Sequence, residues 1–277
     1  MDKHFVVSNF NTVPSYYLDT FSNVTIYDQS DNEEIIDILL NKHDARIRFE
    51  GKTCGHNLLN YLDYILENYD KLPQVVVFTK GNVPGRHCSD EWLSKAIGRD
   101  CYEFLWDDPN LIDKQDSQHR LYPGRYIEIN NSWYVKDSPH RYFTNFDDFC
   151  DFIFLDYKKS RFNLFSPGAC YQVERDRITR NPKSLYEGLR RIIEYTFRPA
   201  ECFMLERALN LIFDRTYNLR DYCMDSDRLM YEISHLPDKT LWRARSRKSA
   251  LEKTLEILIY RLEKLKRQIA EARNVFQ

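Results

Sequence analysis

Short apolar runs alternate with amphipathic segments along the first eighty residues of this chain of 277. Short apolar runs predict buried strands, and apolar residues spaced by three and four predict helices. Their alternation is typical of a mostly parallel sheet flanked by helices. The predicted strands are 4–10, 24–27, 45–49 and 75–78, and the predicted helices are 15–22, 31–41 and 54–69.

Polar residues follow three of the predicted strands. Ligands of open parallel sheets bind beyond the carboxyl ends of the strands, so we expect the binding pocket of this chain at these positions. The residues there are Ser8, Asn9, Asn11, Asp28, Lys80, Gly81 and Asn82.

The charge and glycine content exclude several classes of protein. With 40 Lys and Arg against 42 Asp and Glu, the net charge of −2 provides no global field to attract nucleic acid or anionic lipid. The chain has only 8 glycines, and no spacing among them makes a dinucleotide-binding turn, a P-loop or a serine-hydrolase turn. We therefore expect no nucleic-acid partner and none of these sites.

The cysteine pattern and the length of the apolar runs predict a cytoplasmic protein. Seven cysteines lie at least 13 positions apart, so the chain has no Cys-x-x-Cys pair for structural zinc. An odd number of scattered cysteines fits a reducing compartment. The apolar runs are far shorter than the ~20 residues of a membrane span. No charged-then-apolar leader opens the sequence, and we expect neither secretion nor a membrane span.

The rest of the chain divides into an irregular middle and a regular tail. The middle predicts strands at 126–129, 133–135 and 169–173, a helix or strand at 146–156, and helices at 182–197 and 200–213.

From Leu251 the apolar residues alternate steps of four and three, which predicts a long C-terminal helix over 251–276 with a coiled-coil seam. That helix either forms a homodimer or packs on its own chain. We expect two domains: residues 1–215 carry the site, and residues 216–277 form a helical extension.

Several spaced segments together resemble a known group of proteins. Val6-Val7-Ser8-Asn9-Phe10-Asn11 resembles the opening strand of GT-A glycosyltransferases. The helix at 57–73, ending in Asp70-Lys71-Leu72-Pro73, and the strand at 75–82 are similar to a signature of the DUF3431 family. Residues 168–178, then Asn181-Pro182, then Glu206 in a helix, resemble the second half of that family.

The resemblance covers roughly residues 4–215, and it implies a GT-A-like fold and a sugar-transfer activity. The implied donor is a nucleotide sugar, with uridine as the expected nucleotide, and the implied acceptor is a glycan or polysaccharide.

The sequence departs from the GT-A pattern where those enzymes hold a divalent metal. Their strand after the helix usually ends in Asp-x-Asp, whereas this chain has Thr79-Lys80-Gly81-Asn82. Lys80 could neutralise phosphate directly, and Gly81 would let backbone N–H groups approach it. Mn²⁺ or Mg²⁺ stays open as a cofactor. Asp107-Asp108 and Asp147-Asp148 are fallback ligands or, alternatively, turn and helix-capping residues.

Transfer with inversion needs a carboxylate that deprotonates the acceptor hydroxyl. Glu206 is the first candidate because it lies in an otherwise apolar helix, and Glu201 near the start of that helix is the second. The alternatives are that Glu201 only complements the helix dipole and that Glu206 only pairs with Arg198 or Arg207.

Donor binding has further candidates besides the strand ends. His56 and Asn57 open the helix whose N-terminus faces the pocket, although Asn57 could simply cap that helix. Asp28 could accept a hydrogen bond from the nucleoside or belong to a turn. Arg86 is a candidate in the loop after the strand at 75–78, a loop of the kind that covers a donor. Arg177 is the candidate phosphate ligand of an arginine-rich stretch, whose alternative is a solvated helix face.

Two functions of other classes remain open at this point. In one, the chain is a non-catalytic helical scaffold that assembles a glycan-synthesis complex through its heptad tail. In the other, aromatic residues and the basic cluster at 243–248 bind RNA.

Overall fold

The computed structural model describes residues 2–50, 55–84, 86–107, 119–122 and 125–237. In these ranges the strands are β1 (Lys3–Asn9), β2 (Val24–Asp28), β3 (Ile47–Phe49), β4 (Val75–Lys80), β5 (Glu103–Phe104), β6 (His119–Tyr122), β7 (Arg125–Ile129), β8 (Phe162–Phe165) and β9 (Tyr171–Glu174).

The helices of the same ranges flank the sheet or follow it in the chain. They are α1 (Ser15–Thr20), α2 (Glu33–Asn41), α3 (His56–Asn68), α4 (Asp90–Ile97), α5 (Phe146–Ile153), α6 (Arg175–Thr179), α7 (Lys183–Ile193), α8 (Ala200–Asp214) and α9 (Ser226–Ser234).

A six-stranded sheet organises the described part of the chain. Its strand order is β3-β2-β1-β4-β9-β5, with β1 to β4 parallel to one another and β9 antiparallel to β4. The predicted α/β class, with a mostly parallel sheet flanked by helices, is confirmed. A separate sheet pairs β6, β7 and β8 in antiparallel fashion.

The sheet is covered on both faces, and its central strands β1 and β4 each carry an uninterrupted apolar run in the middle or at the start. Val6 and Val76 belong to the core that α3, α7 and α8 cover. The next residues, Val7 and Val77, point to the opposite face and belong to the core under α1 and α4. Strands buried on both faces carry such continuous runs.

In the middle of the chain, one segment differs in secondary structure from its prediction, and another adopts one of the two structures that the sequence left open. Trp133–Lys136 is a short 3-10 helix and not a strand, because Ser132 before it has a left-handed backbone (φ +49°) and the aromatic rings of Trp133 and Tyr134 pack on α8. The segment predicted as helix or strand is α5, whose N-cap Asn145 accepts a hydrogen bond from the Asp148 N–H.

The predicted heptad helix at 251–276 lies outside the described residues. The part of the proposed C-terminal domain that the structure describes ends at residue 237, and its α9 packs with Leu229 and Ile233 in the core that also contains α7. None of the described helices combines the length and the apolar character that crossing a membrane requires.

Candidate functional site

A cleft of about 330 Å³ opens at the carboxyl ends of β1 and β4. Ser8, the residue before the last of β1, pairs with Lys80, the last residue of β4, and both side chains reach the cleft. The N-terminus of α3 forms another side. Of the predicted residues, Ser8, His56, Asn57, Lys80, Asn82 and Arg86 line it, together with Phe10, Gln29, Phe197 and Arg198.

An inner extension of about 60 Å³ continues from the cleft toward α8. His56, Asn57, Lys80 and Arg198 line both parts, whereas Phe203 and Glu206 of α8 line the inner part. The structure therefore brings the predicted base, Glu206, to the predicted donor site.

The remaining predicted residues at the strand ends, Asn9, Asn11, Asp28 and Gly81, contact one another or their neighbours in the chain. Asn9 is buried and donates hydrogen bonds to Asp28 Oδ1 and to the Thr12 carbonyl, both at 2.7 Å. Gly81 touches this network, since a Cβ there would lie 2.0 Å from Asn9 Oδ1. The Asn11 Oδ1 atom accepts the N–H groups of residues 31 and 32. These polar groups are occupied with one another.

Three cationic side chains face the cleft. Lys80 is half-buried, and Arg86 and Arg198 are exposed. Burial is the main cause that lowers the pKa of Lys80, and Glu206 opposes this shift. Within the described part of the chain, the ammonium group of Lys80 forms no hydrogen bond or ion pair, so it is available to a ligand.

Two histidines near Lys80 are held neutral. Burial and the charge of Lys80 lower the pKa of His56 to about 4, and its Nδ1 lies 2.5 Å from Asn57 Oδ1. His87 is only 8% exposed, and its pKa falls to about 3 for the same two reasons. Both ring nitrogens of His87 lack a hydrogen-bond partner among the described residues.

Gly168 connects the two sides of the inner cleft. Its N–H donates to Glu206 Oε1, and its carbonyl accepts a hydrogen bond of 2.9 Å from Asn57 Nδ2. The backbone is left-handed there (φ +77°), and a Cβ would lie 3.0 Å from Lys80 Nζ. Glycine is the residue that tolerates this conformation and this approach.

A buried ion pair stands behind Glu206. Arg207 is 3% exposed and contacts Glu128 Oε2 at 2.6 Å and Glu206 Oε2 at 3.2 Å. The rings of Tyr134 and Phe165 lie on its guanidinium at 4.7 and 4.4 Å. Sequence reasoning missed Glu128, because the pair joins positions 79 residues apart without any local pattern.

Glu201 and Arg177 do not join the cleft. Glu201 is buried and accepts hydrogen bonds from the Arg141 and Tyr142 N–H groups and from the Tyr195 hydroxyl. Arg177 follows β9 near the amino end of β4, the opposite edge of the sheet, and pairs with Glu174 and Asp214. The contacts of Glu201 join α8 to residues 141 and 142, and those of Arg177 join α6 to β9 and α8.

The described members of the two acidic pairs lie in the first turn of a helix or bond to the N-cap residue of one. Asp107 accepts hydrogen bonds from the backbone N–H and hydroxyl of Ser89, the N-cap of α4, and Asp108 lies outside the described residues. Asp147 and Asp148 occupy the first turn of α5.

We expect His87 to make the protein sensitive to acid. Its pKa in the folded chain is about 3 against 6.5 unfolded, so between these pH values the unfolded chain binds a proton that the folded chain does not. The free energy of unfolding therefore falls as the pH falls. In His87→Gln, the slope of urea-unfolding free energy against pH should be smaller by up to ~1.4 kcal/mol per pH unit. An unchanged slope in His87→Gln would contradict the assignment.

The fold and the cleft define the class: an α/β protein with a cationic pocket at the carboxyl ends of parallel strands. Comparison with known protein families, curated proteins and solved structures finds no match for the chain. The resemblance to DUF3431 and to GT-A glycosyltransferases therefore stays a prediction.

Proposed function

We propose that this protein is a glycosyltransferase that moves a sugar from a nucleotide-sugar donor, with uridine as the expected nucleotide, to a glycan acceptor. The observation that carries the proposal is the cleft itself. Among the described residues that line it, the cleft combines the cations Lys80, Arg86 and Arg198 with the carboxylate of Glu206, at the edge of the sheet where ligands of parallel strands bind.

The charges of the cleft suit the diphosphate of such a donor. Lys80, Arg86 and Arg198 are positive, His56 is neutral, and Glu206 is negative. The sum of +2 complements the two negative charges of a sugar diphosphate diester. The N-terminus of α3 adds favourable dipoles.

The reaction assigns one role to the cations and another to Glu206. Glu206 takes the proton of an acceptor hydroxyl while the oxygen of that hydroxyl forms a bond to the anomeric carbon of the donor sugar. The bond from that carbon to the diphosphate breaks, and the electron pair leaves with the nucleoside diphosphate. Lys80, Arg86 and Arg198 stabilise the charge that develops there.

Glu206 retains free acceptor capacity for this role. A carboxylate offers about four lone-pair positions, and the described contacts of Glu206 are the Gly168 N–H and the Arg207 guanidinium. These contacts orient the carboxylate without occupying all of its lone-pair positions.

The outer cleft offers groups for the nucleoside. Phe10 is exposed at its mouth and Phe197 lies in its wall, so a base can stack on either ring. Gln29 and Asn82 supply polar atoms for the base edge or the ribose.

A thermal-shift screen tests the donor site. Nucleotide sugars and free nucleotides are added in EDTA and, separately, in Mn²⁺. Ligand at about 100 times its Kd stabilises a folded protein by ~2.7 kcal/mol, which moves the unfolding midpoint by a few degrees. A shift with one nucleotide family supports the proposal, and its persistence in EDTA supports cationic side chains in the role of metal. No shift with any nucleotide sugar would overturn it and favour the scaffold function.

Lys80→Met should weaken nucleoside diphosphate binding by about 10- to 100-fold, the effect of losing one hydrogen bond to a charged group. The methionine keeps the length of the side chain and removes the charge. Lys71→Met is the matched control, because Lys71 is exposed and precedes β4 at the other end of the strand. Isothermal titration calorimetry of both variants measures the difference, and equal affinities would contradict the role of Lys80.

A further inference from the structure

An aromatic wall leads from the inner cleft to the surface. Phe203 lines the inner cleft beside Glu206, and its ring centroid lies 5.9 Å from that of Trp133. Trp133 is 41% exposed although tryptophan is among the most apolar side chains by area. Tyr134 is stacked on Phe203 at 5.3 Å, and the Arg198 guanidinium lies over the Phe203 ring at 4.9 Å, so Phe203 holds the wall together and Trp133 is its exposed member.

The indole of Trp133 is fixed in place despite its exposure. Its Nε1–H donates to Glu128 Oε1 at 2.7 Å, and its backbone N–H donates to Asn131 Oδ1 at 3.2 Å. Its ring meets the ring of Tyr134 edge to face at 5.8 Å. A side chain that is already ordered loses little conformational entropy when a ligand covers it.

The support of Trp133 is continuous with the support of Glu206. Glu128 bonds Trp133 through one carboxylate oxygen and Arg207 through the other, and Arg207 contacts Glu206. The buried pair of Glu128 and Arg207 therefore holds both the indole that would contact the ligand and Glu206, the proposed base.

We propose that the exposed part of the Trp133 indole, which lies beside Phe203 at the inner cleft, binds a sugar ring of the acceptor. This inference rests on the proposed function, and it specifies the acceptor as a carbohydrate held by stacking. One face of a pyranose ring presents C–H groups that pack on an aromatic face, while its hydroxyls stay at the edge for hydrogen bonds. A ring on this wall directs its chain toward the inner cleft, where Glu206 takes the proton from the reacting hydroxyl.

Nuclear magnetic resonance of the full-length chain labelled with ¹⁵N at the tryptophan indoles tests the inference directly. The chain has 4 tryptophans, and the signal lost in Trp133→Phe identifies that of Trp133. The probes are the methyl β-glycosides of glucose, galactose, xylose and N-acetylglucosamine, with 1-hexanol as an apolar probe. Trp92→Phe is the matched control, because Trp92 lies on α4 and donates its indole N–H to the Phe104 carbonyl.

We expect at least one glycoside to shift the Trp133 signal saturably, with the signal of Trp92 unmoved and no such shift from hexanol. Trp133→Phe should weaken this binding, followed by saturation-transfer signals of the glycoside, by about tenfold, and Trp92→Phe should not. If no glycoside shifts the Trp133 signal, or if hexanol shifts it equally, the inference is wrong. The donor screen separates this failure from that of the proposed function, because nucleotide sugars bind in the cleft whether or not the wall binds a sugar.

Discussion

Glu206→Gln is expected to lower the rate of sugar transfer by about 10²- to 10⁴-fold, the usual contribution of a general base. The amide keeps the size of the side chain but cannot accept the proton of the acceptor hydroxyl. Donor binding should stay the same or become slightly tighter, because a negative charge facing Lys80 is removed. Single-turnover transfer at saturating donor, together with calorimetric donor binding, separates the two effects.

Glu201→Gln is the matched control for Glu206→Gln, because both positions lie on α8 and both were candidate bases. Glu201 is buried beneath the 139–142 segment, where its carboxylate accepts two backbone N–H groups. The change should lower the free energy of unfolding by ~1–3 kcal/mol, since the amide oxygen can still accept both N–H groups but the bonds lose the strength that the carboxylate charge gives them. The transfer rate per folded molecule should change little. A large rate loss in Glu201→Gln with normal transfer in Glu206→Gln would reverse the two roles.

The parts of the site that local patterns encode could be predicted from the sequence. The carboxyl ends of β1 and β4 are visible as polar residues after apolar runs, and Ser8, Lys80 and Asn82 at these ends line the cleft. His56 and Asn57 were found because they begin a clearly amphipathic helix. In each case the local pattern and the parallel arrangement of the strands were sufficient.

The parts that depend on packing between distant segments could not be predicted. Arg198 reaches the cleft only because the turn before α8 lies against the start of α3. The function of Gly168 depends on its contacts with Asn57 and Glu206, which are 111 and 38 positions away. Arg177 lies away from the cleft because β9, the strand before it, is antiparallel to β4 and ends beside the start of β4, which no local pattern of the sequence indicates.

Arg207→Met is expected to lower the free energy of unfolding by about 3–5 kcal/mol, the usual cost of leaving one buried charge without its partner. Met fills much of the space of the arginine between the rings of Tyr134 and Phe165. The dominant loss is therefore the charge that Glu128 retains in the interior. Urea unfolding followed by circular dichroism measures the difference.

Arg177→Met provides a matched control for this prediction. Arg177 also pairs with two carboxylates and also lies on an aromatic ring, that of Tyr102 at 4.7 Å. It differs in that its partners reach solvent, so its removal should cost only ~0–1 kcal/mol. Equal losses in the two variants would mean that burial does not set the strength of the Arg207 contacts.

Adding Glu128→Gln to Arg207→Met should restore part of the lost stability, because the double variant no longer buries an unpaired charge. It should not restore the transfer rate, because Glu206 then lacks the guanidinium that orients it. The double variant would thus recover part of its stability while its transfer rate stays low. If the double variant regains both, Arg207 stabilises the fold and has no part in positioning Glu206.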